Sequence, residues 1–360
     1  MNLAASFPIL EKYTYLNTAN SGILSTELAQ WRTDHDKLFV NGGSAFRMEQ
    51  SPVIEALRTN IADFFKADQS NVFLTQNFSL GFNALLNGLP KTHRFLLLNN
   101  EYPSVDYQVI SRGFEHFNVD IDEHLEDNVL AAIEKYHPTV FAFSVVQYIS
   151  GYRINPAFIR KLKHTYPDLL LIGDGTQFCG TTDFNFKNSG LDALISSGYK
   201  WLLAGYGNGF ILLSDQLSNQ LYQLQKNSQL PTAPFLKGKT HLALCFEPGH
   251  LDTLNFGSLH ESLNFIRKVG ITEIEEKTQA LCKLARTQLH NRGLLPDYLV
   301  DQQYSSTIMS MPLKQEVVDK LGAANILCSP RGAGTRISFH FYNTKDDLQK
   351  LLDVLDGKKI

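Results

Sequence analysis

Residues 168–200 read DLLLIGDGTQFCGTTDFNFKNSGLDALISSGYK and contain two short apolar runs that each end in polar residues. The first run ends at Asp174, and the second leads through Ser197, Gly198 and Tyr199 to Lys200. Runs that stay apolar without alternation are typical of strands buried on both faces of a parallel sheet. Lysine is rarely buried unless it is paired or takes part in chemistry. The stretch therefore predicts neighbouring strands that end in a buried acid and a buried lysine.

Apolar runs of the same kind occur on both sides of this stretch, with longer amphipathic segments between them. The runs are NVFLT (71–75), RFLLLNNE (94–101), TVFAFSVVQ (139–147) and GFILLS (209–214). The segments SVDYQVISRGFEHF (104–117) and NPAFIRKLKHTYP (155–167) are predicted to be helices. Strands that alternate with helices predict an α/β fold with a mainly parallel sheet.

The pattern changes after about residue 255 and predicts a second, smaller α+β domain. Helical periodicity continues over residues 257–293, and strand-like segments follow at 304–313, 324–330 and 335–343. A helix is predicted from Lys345 with Thr344 as its N-cap and two acids in its first turn. We divide the chain into an N-terminal segment (1–19) that associates with the small domain, a large domain (20–268) and a small domain (269–360).

Composition argues against several classes of function. The 33 lysines and arginines against 36 acids give a net charge of −3, so no charge field points to nucleic acid or to an anionic membrane. The eleven histidines show no metal-binding spacing, and no metal site is expected. The four cysteines lie far apart in mostly apolar surroundings, as reduced and buried thiols do. These features predict a cytoplasmic protein without signal peptide or membrane span.

Polar residues follow the predicted strands at the ends where functional residues of α/β sheets gather. They are Tyr102, Gln147, Tyr148, Asp174, Gln177, Ser197, Tyr199 and Lys200. Asn77, Phe78 and Ser79 lie between a strand and a helix, where backbone N–H groups bind phosphate. A phosphate site, a buried acid and a buried lysine together match the needs of pyridoxal 5′-phosphate.

Several motifs together carry a family resemblance over roughly residues 14–352. They are YLNTANSG, TQNFSLGFNAL, NEYPS, VVQYISGYR, DGTQFCG, SSGYKWL, FEPGH and GTRISFHFYNT. In order and spacing the chain resembles the class V aminotransferase-like enzymes, pyridoxal-phosphate enzymes of fold type I. Cysteine desulfurases, selenocysteine lyases, kynureninases and isopenicillin-N-epimerase-like proteins are members. The resemblance implies a large domain with a mainly parallel seven-stranded sheet.

The resemblance also implies roles for the residues that bind the cofactor. Lys200 would form the Schiff base and carry the proton between substrate and cofactor, and Asp174 would pair with the ring nitrogen. Gln177 would bind the 3-oxygen, and Tyr102 would stack on the ring, with Tyr148 in the loop beside it. The residues implied at the phosphate are Asn77, Phe78, Ser79, Ser197 and Tyr199, where desulfurases carry a histidine in place of Tyr199.

For the substrate, the resemblance implies that Arg336 binds the α-carboxylate bidentately and that Asn20 closes over the same group. Gln147 lies in a loop expected to face the substrate. FEPGH, at 246–250, has His250 where relatives place a threonine that reaches the phosphate of the neighbouring subunit. This position implies a homodimer with shared active sites.

The sequence leaves the reaction open between several possibilities. We expect an aminotransferase that acts on an amino acid and a 2-oxo acid, because Cys328 lies in an apolar run and reads as a buried thiol. Cysteine desulfurase, selenocysteine lyase or epimerase activity is the alternative. A non-catalytic binding protein is disfavoured by the presence of Lys200 and Asp174. Roles for Arg47, Arg153 and Arg331 stay open.

Overall fold

The computed structural model describes residues 6–358, with the side chain of Phe235 excepted. The strands are β1 (Thr14–Tyr15), β2 (Val72–Thr75), β3 (Arg94–Leu98), β4 (Glu115–Val119), β5 (Val140–Ser144), β6 (Leu170–Asp174), β7 (Ala193–Ser197), β8 (Gly209–Leu213), β9 (Ile308–Met311), β10 (Ile326–Leu327), β11 (Ser329–Arg331) and β12 (Gly334–Ser338). The helices are α1 (Thr26–Phe65), α2 (Phe78–Gly88), α3 (Pro103–Ser111), α4 (Leu125–Tyr136), α5 (Pro156–Thr165), α6 (Asp215–Gln220), α7 (Gln223–Lys226), α8 (His241–Phe246), α9 (Thr253–Val269), α10 (Ile271–His290), α11 (Asp297–Val300), α12 (Gln315–Ala323) and α13 (Lys345–Leu355). Single 3₁₀ turns occur at Pro8–Glu11, Gln69–Asn71 and Pro234–Leu236.

The predicted seven-stranded, mainly parallel sheet is confirmed. Its order is β2-β8-β7-β6-β5-β3-β4, and β8 runs in the opposite direction to the other six strands. The central strands β5, β6 and β7 are buried along their whole length, as their unbroken apolar sequences require. Because β5, β6 and β7 are parallel, their carboxyl ends meet at one edge of the sheet.

The prediction of a helix over 104–117 is wrong in its second half. Helix α3 ends at Ser111, and Gly113 takes a φ of 70°, which breaks the helix. Residues 115–119 then form β4, the strand at the edge of the sheet. An edge strand exposes several side chains, so its polar sequence EHFNV lacks the apolar run that identified the other strands.

Strands β9, β11 and β12 form a second, three-stranded antiparallel sheet, and β1 pairs in parallel with β10. The strand predicted over 324–330 is divided at Cys328, because β10 pairs with β1 while β11 pairs with β12. The strand predicted over 335–343 ends at Ser338. Thr344 caps α13 as predicted, in a capping box with Asp347. The domain limits at 19/20 and 268/269 stay predictions, and residues 1–5 and 359–360 lie outside the described residues.

Candidate active site

The carboxyl ends of β6 and β7 bring Asp174 and Lys200 into one buried site. Asp174 is the last residue of β6, and Lys200 follows the end of β7 by three residues. Both side chains are buried, and the Thr176 backbone N–H donates to Asp174 Oδ1 at 2.8 Å. Ser197 N–H also donates to Thr176 Oγ1 at 3.3 Å, which ties the segment after β6 to the end of β7.

Burial shifts the pKa values of Asp174 and Lys200 in opposite directions. Loss of hydration raises the pKa of the Asp174 carboxyl, and hydrogen bonds from Thr176 and the charge of Lys200 oppose that shift. Burial lowers the pKa of the Lys200 amine, Asp174 opposes this, and the guanidinium groups of Arg336 and Arg331 lower it further. A lysine with a lowered pKa supplies more of the neutral amine that acts as a nucleophile.

The start of α2 forms a donor-rich end of the site. Asn77 caps the helix, with its Oδ1 accepting from Leu80 N–H at 3.0 Å, and Phe78 N–H donates to Ser197 Oγ at 2.8 Å. Ser79 Oγ lies 2.7 Å from Ser104 Oγ. The N–H groups of a first helical turn have no partner within the helix and, with the helix dipole, favour an anion. The predicted phosphate residues therefore share one location.

A cavity of about 620 Å³ joins this helix start to Lys200 and Asp174. Of the eleven residues predicted to bind the cofactor, ten line it, and they are Asn77, Phe78, Ser79, Tyr102, Tyr148, Asp174, Gln177, Ser197, Tyr199 and Lys200. The eleventh, His250, is exposed and does not line the cavity. Its contact with the phosphate of a second subunit stays a prediction.

Tyr102 and Tyr148 form one wall, and a glutamate missed by the sequence analysis lies behind them. The two rings are 5.4 Å apart and nearly perpendicular. Glu101 is buried and accepts hydrogen bonds from Ser144 Oγ at 2.6 Å, Ser144 N–H at 2.9 Å and Tyr102 N–H at 3.0 Å. Burial raises the pKa of Glu101 to about 7. An acid three residues after the end of β3 was the available signal in the sequence.

The two glutamines of the site are held by well-defined partners. Gln177 Nε2 donates to Ala19 O at 2.8 Å, and its Oε1 accepts from Trp201 Nε1 at 2.9 Å. The second hydrogen on Nε2 is the donor that a cofactor oxygen could use. Gln147 Oε1 accepts from the Ile149 and Ser150 N–H groups at 2.7 and 2.6 Å. Gln147 thus shapes the loop at 147–151, and its contact with substrate stays a prediction.

Arg336 is almost completely buried, with 2% of its surface exposed, and it lies against the loop at 147–151. Its Nη1 donates to Tyr148 O at 2.6 Å, whereas Nε and Nη2 have no protein partner. A buried guanidinium with two unpaired donors is costly unless an anion binds there. This geometry fits the carboxylate contact that the sequence predicts.

Residues 17–22, here named the N-terminal strap, cross directly over the lysine turn. Gly22 N–H donates to Tyr199 O at 2.8 Å, and a Cβ on Gly22 would overlap the Lys200 carbonyl oxygen, so only glycine fits. Ala19 N–H donates to Ser338 Oγ at 3.0 Å, and the Thr18 and Tyr342 hydroxyls are hydrogen-bonded. The strap therefore joins the C-terminal residues to the lysine turn.

Asn20, at the centre of the strap, contacts a different arginine from the predicted one. Its Oδ1 accepts from Arg331 Nη2 at 2.6 Å. The predicted contact of Asn20 with a carboxylate on Arg336 stays a prediction. Arg331 joins Glu101 as a candidate functional residue to which the sequence assigned no role.

Cys328 is half-buried, although its apolar neighbours in the sequence predict a buried thiol. It lies between β10 and β11, packs at the margin of the C-terminal core, and burial raises its pKa. Cys179 and Cys282 are buried as expected, Cys245 is half-buried, and no disulfide forms among the four. No cysteine lines the cavity around Lys200 among residues 6–358.

Among the described residues, no three histidine, cysteine or acidic side chains are grouped as a metal site requires. Over the same residues, no helix is both long and apolar enough to cross a membrane. Location in the cytoplasm stays a prediction.

Comparison with known proteins gives consistent matches over most of the chain. The sequence profile of the family Aminotransferase class-V matches residues 24–351. The uncharacterized aminotransferase YcbU of Bacillus subtilis is 21% identical over 98% of this chain and 96% of its own length. A probable cysteine desulfurase of Ureaplasma parvum is 22% identical over 88% and 85%. A solved C-DES variant, with glycine covalently linked to its PLP cofactor, matches with a TM-score of 0.82, 19% identity and coverage of 98% and 99%.

Proposed function

This chain belongs to the aminotransferase class-V family of pyridoxal-phosphate enzymes, and from that premise we propose that it transfers the amino group of an amino acid to a 2-oxo acid. The observation that carries the choice of reaction is the cavity lining around Lys200, which includes no thiol among the described residues. A desulfurase that takes sulfur onto its own cysteine needs a thiol there. Amino transfer needs only the lysine and the carboxylate site.

The residues of the cavity fit the cofactor. At the start of α2 the Ser79 N–H and the hydroxyls of Ser79 and Ser197 would donate to a phosphate, and Asp174 would offer a buried carboxylate to a ring nitrogen. Lys200, with its lowered pKa, would form the covalent link. When bound, pyridoxal phosphate supplies an electron-withdrawing ring conjugated to the substrate amine.

The protein groups then have distinct tasks. Lys200 Nζ accepts the proton from the substrate Cα and releases it again, which its lowered pKa permits near neutral pH. Arg336 orients the substrate through the open Nε and Nη2 edge of its guanidinium. Asp174 would offer its carboxylate to the ring nitrogen; burial raises its pKa, and the hydrogen bonds from Thr176 and the charge of Lys200 limit that rise.

A carbon–sulfur lyase or an epimerase is the alternative on the same scaffold. The similarity to a probable cysteine desulfurase favours the lyase. A lyase that releases sulfide directly would need no protein thiol, and an epimerase would return the proton to the opposite face of Cα. The similarity to YcbU, over nearly the whole of both chains, favours amino transfer.

The reaction is tested by mixing the holoenzyme with single amino acids and following the visible spectrum. We expect conversion to the pyridoxamine form, reversed by a 2-oxo acid. Pyruvate together with sulfide from cysteine would identify a lyase instead, and loss of optical activity without a spectral change would identify an epimerase. A spectrum unchanged by every amino acid would contradict the proposal and favour a binding protein.

The Cys328→Ala variant should keep its turnover, because the thiol does not reach the cavity. Its free energy of unfolding should fall by at most about 1 kcal/mol, since the site is only half-buried. Cys282→Ala is the matched control, and its fully buried site should cost more stability with equally little effect on turnover. Sulfide release from cysteine, measured for the wild type and both variants, checks this. Release that is robust in the wild type and lost only in Cys328→Ala would overturn the aminotransferase proposal.

We also propose a two-fold homodimer with shared sites. The N-terminal half of α1 exposes Phe39 and Val40, 56% and 84% accessible, next to Leu38, and His250 is exposed. Apolar side chains grouped on a surface indicate a contact with another chain. Sedimentation equilibrium should give twice the chain mass, and Val40→Glu should shift the population toward monomer while weakening cofactor retention. A wild-type monomer that retains the cofactor tightly would contradict this, and would leave His250 as a surface residue.

A further inference from the structure

The hairpin of β11 and β12 places two arginines on one face. Ser329 is paired with Arg336, and Arg331 is paired with Gly334. Because side chains two residues apart share a face of a strand, Arg331 and Arg336 are diagonal neighbours on the same face. The tip at Gly332 takes a φ of 57° and packs on Ile149, so the hairpin is seated on the loop at 147–151. Arg331 is therefore presented by a fixed turn and not by a free loop.

Neither guanidinium is paired with a carboxylate among the described residues. Arg331 donates from Nη1 to its neighbour Pro330 O at 3.3 Å and from Nη2 to Asn20 Oδ1 at 2.6 Å. Arg336 donates only from Nη1, to Tyr148 O at 2.6 Å. A guanidinium carries five N–H donors, so both side chains keep donors for a ligand.

Three cationic side chains, Lys200, Arg331 and Arg336, lie near enough to influence one another, and the Asp174 carboxylate opposes this at Lys200. Burial and the charge of Arg331 lower the pKa of Arg336 to about 10, and both arginines lower the pKa of Lys200. Like charges in a partly buried site destabilise one another unless an anion binds. The donors assigned above to the cofactor phosphate lie at the start of α2, whereas Arg331 contacts the strap. The excess charge at the hairpin is thus available to the substrate.

One carboxylate is enough to satisfy Arg336 alone. Its unpartnered Nε and Nη2 lie on the same edge of the guanidinium and form a complete two-pronged site for a carboxylate. Arg331 is then not needed for the α-carboxylate, and its remaining donors stay open. A second anionic group on the same substrate would pair with them.

We propose that Arg331 is a specificity-determining residue that binds an anionic side chain, so that the preferred substrates are dicarboxylic or sulfinic amino acids. This inference rests on the proposed action on amino acids. A substrate with a neutral side chain would leave Arg331 without a partner in a partly buried site. A site that is built to pair with a polar group of its substrate discriminates strongly against analogues that lack that group.

The test compares kcat/KM of the holoenzyme for aspartate, glutamate and cysteine sulfinate with that for alanine and norvaline. We expect the wild type to prefer the best anionic substrate by about 10²-fold or more. Arg331→Gln should remove most of that preference, so that kcat/KM falls much further for the anionic substrates than for alanine. Arg160→Gln, which removes the same charge from an exposed position on α5, should change neither. Arg331→Lys should keep part of the preference, because lysine retains the positive charge but not the planar, two-pronged donor geometry of a guanidinium.

Binding of succinate and of propionate to the holoenzyme, measured by calorimetry, separates this inference from the proposed function. We expect succinate to bind tenfold or more tightly than propionate, with the difference lost in Arg331→Gln. That result would support the inference even if no amino acid were turned over. Equal losses for alanine and aspartate would overturn it, because Arg331 would then share the α-carboxylate. A preference for anionic substrates that persists in Arg331→Gln would overturn it as well.

Discussion

Replacing Lys200 by alanine is expected to abolish turnover and to remove the covalent attachment of pyridoxal phosphate. The amine is both the group that forms the link and the base that receives the Cα proton, so the rate should fall by at least about 10⁴-fold. The fold should survive, because burial disfavours the charged amine and its removal relieves that cost. Borohydride reduction followed by peptide mapping should label the wild type at Lys200 and leave the variant unlabelled.

Two controls make the Lys200 result specific. Lys200→Arg keeps the positive charge beside Asp174. Because a guanidinium stays protonated and cannot act as a nucleophile, this variant should be as inactive as Lys200→Ala. Lys91→Ala, at an exposed position, should be labelled and active like the wild type. A label found on any lysine other than Lys200 would refute the assignment of the active site.

Replacing Asp174 by asparagine is expected to slow turnover by roughly 10²-fold or more while the cofactor stays linked to Lys200. Asparagine keeps the shape and can still accept from Thr176 N–H, but it carries no negative charge toward the ring nitrogen. Without that charge the ring is a weaker acceptor of electrons from Cα. Steady-state rates with the best amino acid, together with the borohydride label, measure the two effects separately.

Asp192→Asn is the matched control for Asp174. Asp192 is equally buried, at the amino-terminal side of β7, and it accepts from Lys163 Nζ at 2.8 Å and Leu171 N–H at 2.9 Å. Its replacement should lower the free energy of unfolding and leave the rate per folded molecule close to that of the wild type. Near-native turnover in Asp174→Asn would mean that Asp174 only stabilises the turn at Thr176 and takes no part in catalysis.

The sheet and the centre of the site were predictable because their signals are local. Unbroken apolar runs identified the strands from β2 to β8 with the exception of β4, which as an edge strand carries polar side chains. Asp174 and Lys200 could be named because each follows such a run directly. Parallel strands then place their ends together, and the cavity lies where that rule puts it.

The parts that the sequence did not predict depend on contacts between distant segments. Nothing near Glu101 shows that its carboxylate will hold Ser144, 43 residues away. The pairing of Asn20 with Arg331 joins positions 311 residues apart, and no periodic pattern encodes it. Cys328 was expected to be buried because its neighbours are apolar, but the change of strand partner there leaves it partly exposed.

The N-terminal strap has a consequence for the order in which this protein matures during synthesis. The strap and β1 bind Ser338, Tyr342 and β10, so they must wait for partners that are made more than 300 residues later. At roughly 5–20 residues per second, translation keeps those partners apart for about 15–65 seconds. The central sheet can form before residues 326–342 are made, but the strap and β1 gain these partners only afterwards. A nascent chain stalled before residue 336 would therefore hold a folded sheet around an open, unfinished site.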